Sequence, residues 1–307
     1  WDGLRAAGDL HPLARVSTGI LRDIRLAIVH CLLIGYLPAA LLYALRNGRQ
    51  TVMLLQDALD CTREECVALA ELVKLRPRWL VMTGVAGVLL AVVTPYLAPP
   101  VPTEPWNPTS WSPEMVWHRV LGPAILVFLF WLAYSVVTVS TRFSRLATQL
   151  QSIDLLDLSS LAPFTRVGLT NSLLLIGALS IASLMLIETG LGFTIVLIGV
   201  PGMVVAVLAL VAPARGVHKR IRQSKDAELE KINRAIAEKR DAFQNPNLDE
   251  KKGELADLIA CRGLIEEIPE WPFTTSTYAR LVLYLLIPAV SWTLGVVFEE
   301  IVNRALF

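Results

Sequence analysis

Residues 168–212 read GLTNSLLLIGALSIASLMLIETGLGFTIVLIGVPGMVVAVLALVA, and Glu188 is the single ionisable side chain among them. A helix rises ~1.5 Å per residue and a bilayer's hydrocarbon core is ~30 Å thick, so about 20 apolar residues make one crossing. The stretch therefore holds two crossings, Gly168 to Ile187 and Leu191 to Ala212, joined by Glu188, Thr189 and Gly190. Three residues suffice for a turn between antiparallel helices, so a membrane hairpin with its turn at 188–190 is expected.

The same test applied outward finds Trp79 to Leu97, Leu121 to Ser140 and Leu281 to Phe298, each free of charge. An earlier apolar run, Ile24 to Leu45, has basic residues on both sides. It reads either as a span or as a re-entrant element broken near Gly35 and Pro38, because proline removes a backbone donor and crowds the preceding turn. The expected fold class is all-α, a polytopic membrane protein of five or six spans. Composition agrees: 54% of residues are hydrophobic and mean hydropathy is +0.54, a membrane profile. With Lys+Arg 28 against Asp+Glu 27, no overall field would draw in nucleic acid.

Lys and Arg in short loops set orientation. Residues 98–118 hold Glu104 and Glu114 but no Lys or Arg, whereas Arg142, Arg145 and Arg166 lie in 141–167 and Arg215, Lys219, Arg220, Arg222 and Lys225 follow Ala214. The first loop is expected outside and the other two in the cytoplasm of a bacterial-type plasma (inner) membrane. No Met opens the chain, so Trp1 is read as a processed or trimmed start.

The organisation expected is an N-terminal segment (1–23), the uncertain run (24–45), an amphipathic cytoplasmic helix (51–75), a four-helix membrane bundle (79–212), a cytoplasmic helical hairpin (216–268) and a final span (276–298). In the amphipathic helix Val52, Leu55, Leu59, Thr62, Cys66, Leu69 and Val73 recur at helical spacing. In the hairpin Val217, Ile221, Leu229, Ile232 and Ile236 mark one face and Leu248, Leu255, Ile259 and Ile265 another. Gln244, Asn245, Pro246 and Asn247 break the helix between them.

Chemistry is sparse. The five uncharged spans hold no Asp, Glu, Lys, Arg or His between their ends, which argues against a proton relay or an ion-coupled site. Walker A, His-Glu-x-x-His, Gly-x-Ser-x-Gly and Cys-x-x-Cys motifs are absent. No catalytic, metal or cofactor-binding residue is assigned, and no enzyme is expected. Cys61 and Cys66, five apart on a helix, would point about 140° apart, and all four cysteines, Cys31 and Cys261 included, are expected reduced. His30 is read as hydrogen-bonded in the bundle interior, and Asp154 and Asp157 as solvated acids on a short interfacial helix.

Three residue groups are singled out. Arg215, Lys219, Arg220, Arg222 and Lys225 are candidate contacts for anionic lipid headgroups. Glu299 and Glu300 would ring the outer mouth of a pore if copies of the last helix surrounded an axis. Gly199, Pro201 and Gly202 are hinge candidates, set against ordinary packing by small residues. The leading expectation is a homo-oligomeric ion channel or pore whose cytoplasmic hairpin serves assembly or gating, with membrane lipids as partners. The alternative is a non-catalytic scaffold or accessory subunit beside other membrane subunits.

Overall fold

The computed structural model describes residues 12–59, 61–71, 74–97, 106–111, 113–150, 153–155, 157–184, 195–242, 248–273 and 275–306. Helix makes up 89% of it and no strand occurs among the described residues, which fixes the all-α class. The helices are α1 (Pro12–Leu54), α2 (Gln56–Leu59), α3 (Arg63–Glu71), α4 (Pro77–Leu97), α5 (Pro113–Ala147), α6 (Ala162–Ser183), α7 (Val200–Ala242), α8 (Leu248–Glu267) and α9 (Thr275–Leu306). Among the described residues, five helical segments are long and apolar enough to cross a bilayer: Ile24–Leu54, Pro77–Tyr96, Arg119–Ala147, Ala162–Ser183 and Leu197–Lys239. The uncharged stretch Leu281–Phe298 lies within the 32-residue α9. The turn expected at 188–190 and the breaker at 244–247 lie outside the described residues.

Close contacts give the helix directions. A Cβ on Gly87 would sit 2.9 Å from the Val127 backbone, and Gly84 faces Trp131, so α4 and α5 are antiparallel. Gly168 faces Leu210 and Gly202 faces Leu179, which makes α6 and α7 antiparallel. Ser140 donates to the Ala209 carbonyl at 2.9 Å and Gly216 lies on the Ser144 carbonyl, so α7 runs parallel to α5. Thr165 meets Pro272 and Ser183 meets Pro288, so α9 runs parallel to α6. Central α5 touches α1, α4, α6 and α7, whereas α9 packs chiefly on α6 and α8 chiefly on α7.

Two cores stack along the bundle. One joins Val29, Leu33, Leu37, Ala40 and Ala44 to Ile125, Leu132, Val136, Ile176, Ala206 and Ala209. The other joins Val52, Leu55 and Leu59 to Phe143, Leu146, Leu150, Leu161, Phe164, Val217 and Ile221. Because the C-terminal ends of α1 and α5 share the second core, these helices are parallel. That core adjoins Arg142, Arg145, Arg166 and the Arg215–Lys225 run, and this end is termed the basic end. The first apolar run is thus one unbroken helix with Arg25 at one end and Arg46 and Arg49 at the other; the re-entrant break near Gly35 and Pro38 does not occur. Pro38 is tolerated inside it, as prolines are in membrane helices that pack against neighbours.

The amphipathic segment departs from expectation. Val52, Leu55, Leu59 and Cys66 are buried, but the segment is divided among the end of α1, α2 and α3 rather than forming one helix. The cause is a capping box: the Thr62 hydroxyl accepts from the Glu65 N–H at 3.3 Å, while the Glu65 carboxylate accepts from the Thr62 N–H at 2.8 Å, starting a new helix at Arg63. Cys61 therefore lies outside α3, the 140° argument does not apply, and a Cys61–Cys66 disulfide forms across 6.1 Å between Cα atoms. The expectation that both stay reduced is corrected; Cys31 and Cys261 are free.

Two predictions follow from these contacts. Gly168→Ala and Gly216→Ala drive a methyl into a neighbouring backbone and should each cost about 1–3 kcal/mol, whereas Gly35→Ala and Gly122→Ala, with nothing within 4 Å, should cost nothing; denaturation in detergent distinguishes them. Hydrogen bonds from Thr62 hold the Glu65 carboxyl below its ordinary pKa. The cap is thus complete above the unfolded glutamate pKa and lost as pH falls through the lower folded value. Hydrogen exchange at the start of α3 should lose protection on acidification in the wild type but show no such pH step in Glu65→Gln.

Candidate functional junction at the basic end

The five basic residues after Ala214 are not placed alike. They lie on α7, which runs without interruption from the intramembrane core into the charged hairpin. Arg215, Lys219 and Arg222 are exposed at spacings of four and three, one stripe of the helix. Arg220 and Lys225 are partly buried and face protein. Arg220 Nε donates to the Leu150 carbonyl at 2.8 Å, fixing the chain just after α5. Lys225 Nζ donates to the Glu266 and Ile268 carbonyls at 2.7 and 3.0 Å, capping the C-terminal end of α8, where unpaired carbonyls carry partial negative charge. The sequence assigned all five residues one role; the structure divides them.

His218 completes the junction. Its Nδ1 lies 3.0 Å from the Glu270 carbonyl, which only accepts, so Nδ1 carries the hydrogen. Its ring stacks on Trp271 at 4.4 Å, with 9° between planes, and Trp271 stacks in turn on Phe273 at 5.9 Å. The Glu270 carboxylate stands 4.0 Å from Nε2. His218, Thr165 and Trp271 were not foreseen in these roles: the first two bond backbone carbonyls, which leave no residue-type pattern in a sequence, and Trp271 acts by stacking between His218 and Phe273.

The described part of the hairpin has a narrow seam. Ile232 and Ile265 are buried, but Ile259, expected on the inner face of α8, is 55% exposed because α8 meets α7 along a narrower seam. Lys239 pairs with Glu254 across the seam, and Lys231–Glu228, Arg234–Glu230 and Arg262–Glu266 pair within helices; exposed pairs contribute little.

The other candidates fall elsewhere. Ile195–Gly199 forms a π turn leading into α7, Pro201 sits in that helix's first turn, and Gly202 packs on Leu179. Glu299 and Glu300 lie on α9, but their side chains are outside the described residues. Asp154 and Asp157 are exposed on the irregular chain before a 3-10 turn at Leu158–Leu161 instead of on an α-helix. His30 is buried and its Nδ1 lies 2.7 Å from the Leu26 carbonyl. No group of three His, Cys, Asp or Glu suited to a metal occurs among the described residues. Against known families, curated proteins and solved structures, the chain has no match in any of the three comparisons.

The division among the basic residues is measurable. Arg220→Met should lower unfolding free energy by about 1.5–3 kcal/mol, the range for hydrogen bonds to charged groups. Lys219→Met, on the exposed stripe, should change it by less than about 0.5 kcal/mol. Equal effects would contradict the inward and outward assignment.

Proposed function

We propose that the protein is a homo-oligomeric ion channel or pore of a bacterial-type plasma membrane, with the α7–α8 hairpin as its cytoplasmic assembly or gating element. The observation that carries this reading is the continuity of α7: one 43-residue helix joins the apolar core to the hairpin, and the hairpin leads directly into α9. The concentration of exposed Arg and Lys at the basic end supports a cytoplasmic placement. On this reading α9 is a sixth span, and Arg215, Lys219 and Arg222 meet anionic headgroups.

Among the described residues, the interior of one protomer is mainly apolar, with scattered buried polar groups such as His30, Ser140 and Asn171. Its hydrophobic core is dense with alanine, and helix contacts engage polar groups within it: Asn171 donates to Ser140 at 3.2 Å and Tyr36 to the Leu174 carbonyl at 2.9 Å. On the pore reading the conducting path runs between copies, with Glu299 and Glu300 at its outer mouth.

The second reading, a non-catalytic accessory subunit, is favoured by an apolar groove on the α4–α5 face, lined by Leu80, Gly84, Val88, Leu89, Val127 and Trp131. A transmembrane helix of another subunit would fit its character. Native mass spectrometry from the source membrane separates the two: a closed homo-oligomer is expected, and a particle of fixed stoichiometry with other subunits would replace the pore by the accessory role. In planar bilayers, Glu299→Gln with Glu300→Gln should reduce cation conductance about twofold to fivefold at low salt and less at high salt, where mouth charges are screened.

A further inference from the structure

The last turn of α8 and the segment joining it to α9 are gripped by side chains of α7 and α6. Carbonyls at alternate residues are taken in turn: Glu266 and Ile268 by Lys225, Glu270 by His218 and, at a longer 3.5 Å, Pro272 by Thr165 of α6. Pro269 and Pro272 carry no N–H, so the segment has fewer donors needing partners and presents mainly acceptors. The stacked rings of His218, Trp271 and Phe273 hold the same stretch by packing. On either side of it, α8 packs chiefly on α7 and α9 chiefly on α6, where Ser183 meets Pro288 and Tyr284, Leu285 and Ile287 pack against the core, so a change in the tilt of α9 has to slide these contacts.

We propose that Glu266–Phe273 is a clasp through which the position of the hairpin sets the tilt of α9. A helix of 32 residues is about 48 Å long, so a tilt of about 10° at its clasped end moves the far end by about 8 Å. The donors come from α7 and α6, which are themselves locked by backbone contact at Gly168. The clasp thus refers α9 to α7 and α6, and displacement of the α8 arm of the hairpin away from α7 withdraws the carbonyls and frees it. The device goes beyond the pore reading and holds equally for an accessory subunit.

The test uses the full chain in lipid nanodiscs, with Cys31→Ser and Cys261→Ser and spin labels on introduced cysteines. The pair Thr148→Cys and Glu267→Cys reads the clasp; the pair Leu173→Cys and Val297→Cys reads α9 against α6. Lys225→Met combined with His218→Phe, which keeps a stacking ring but removes both donors, should broaden the first distance distribution and shift the second by about 5 Å or more. Lys231→Met, on an exposed pair, should change neither. A broadened first pair with an unmoved second, or no change in either, overturns the proposal. If the double variant fails to assemble, Thr165→Val removes one grip and should shift the second pair in the same direction; no shift there is equally fatal. Conductance is not read, so a moved α9 with unchanged conductance would count against the pore and leave the clasp standing.

Discussion

The architecture depends on α7 lying directly against the backbones of its neighbours. At Gly168 a Cβ would come within 2.7 Å of the Leu210 carbonyl, and at Gly216 it would collide with that of Ser144. In lipid there is little hydrophobic drive between helices, so association rests on close packing and interhelical hydrogen bonds, which small residues make reachable. Ser140 can donate to the Ala209 carbonyl, and Asn171 to Ser140, only because the three helices approach so closely. These contacts fix the depth and rotation of α7. Its rotation then determines that Arg220 and Lys225 face protein and that Arg215, Lys219 and Arg222 do not.

Charge placement is consistent with the same constraint. Arg46, Arg49, Arg145 and Arg166 are exposed at the basic end, on three separate helices. At the opposite end, the Arg119 guanidinium lies 4.9 Å over the Trp106 ring, whose indole N–H donates to the Val92 carbonyl at 3.3 Å. An arginine covered by an aromatic face is suited to a membrane boundary, where one side of the group is apolar and the other wet. Arg25 at that end explains why the first helix defied a simple reading: it is one helix long and apolar enough to cross, with cations at both ends.

What the sequence disclosed follows the kind of signal each feature leaves. Crossings such as Leu121–Ser140 are visible because lipid demands a long uncharged run. The buried set Val52, Leu55, Leu59 and Cys66 was visible through periodicity, which survives a break between helices and so conceals it. The break had its own signal, Thr62 followed three residues later by Glu65, and recognising that box would have placed Cys61 outside α3. The junction left no comparable trace: hydrophobic spacing cannot tell a lysine facing solvent from one capping a helix, as Lys219 and Lys225 show.

That asymmetry has a physical origin in the clasp itself. A side-chain pair constrains two residue types and can be sought in a sequence, but a donor to a carbonyl constrains only itself, since every residue supplies the acceptor. The joining segment's own signature is the pair Pro269 and Pro272, which shape the chain by removing donors. A carbonyl-bound segment also differs mechanically from an apolar one. Its grip depends on direction and short distance, so it holds firmly in one register and weakens steeply when withdrawn, whereas apolar contact tolerates sliding. Holding α9 through such contacts, beside a hairpin whose seam buries Ile232 and Ile265 among the described residues while Ile259 and Leu264 stay exposed, places the directional restraint at the joint.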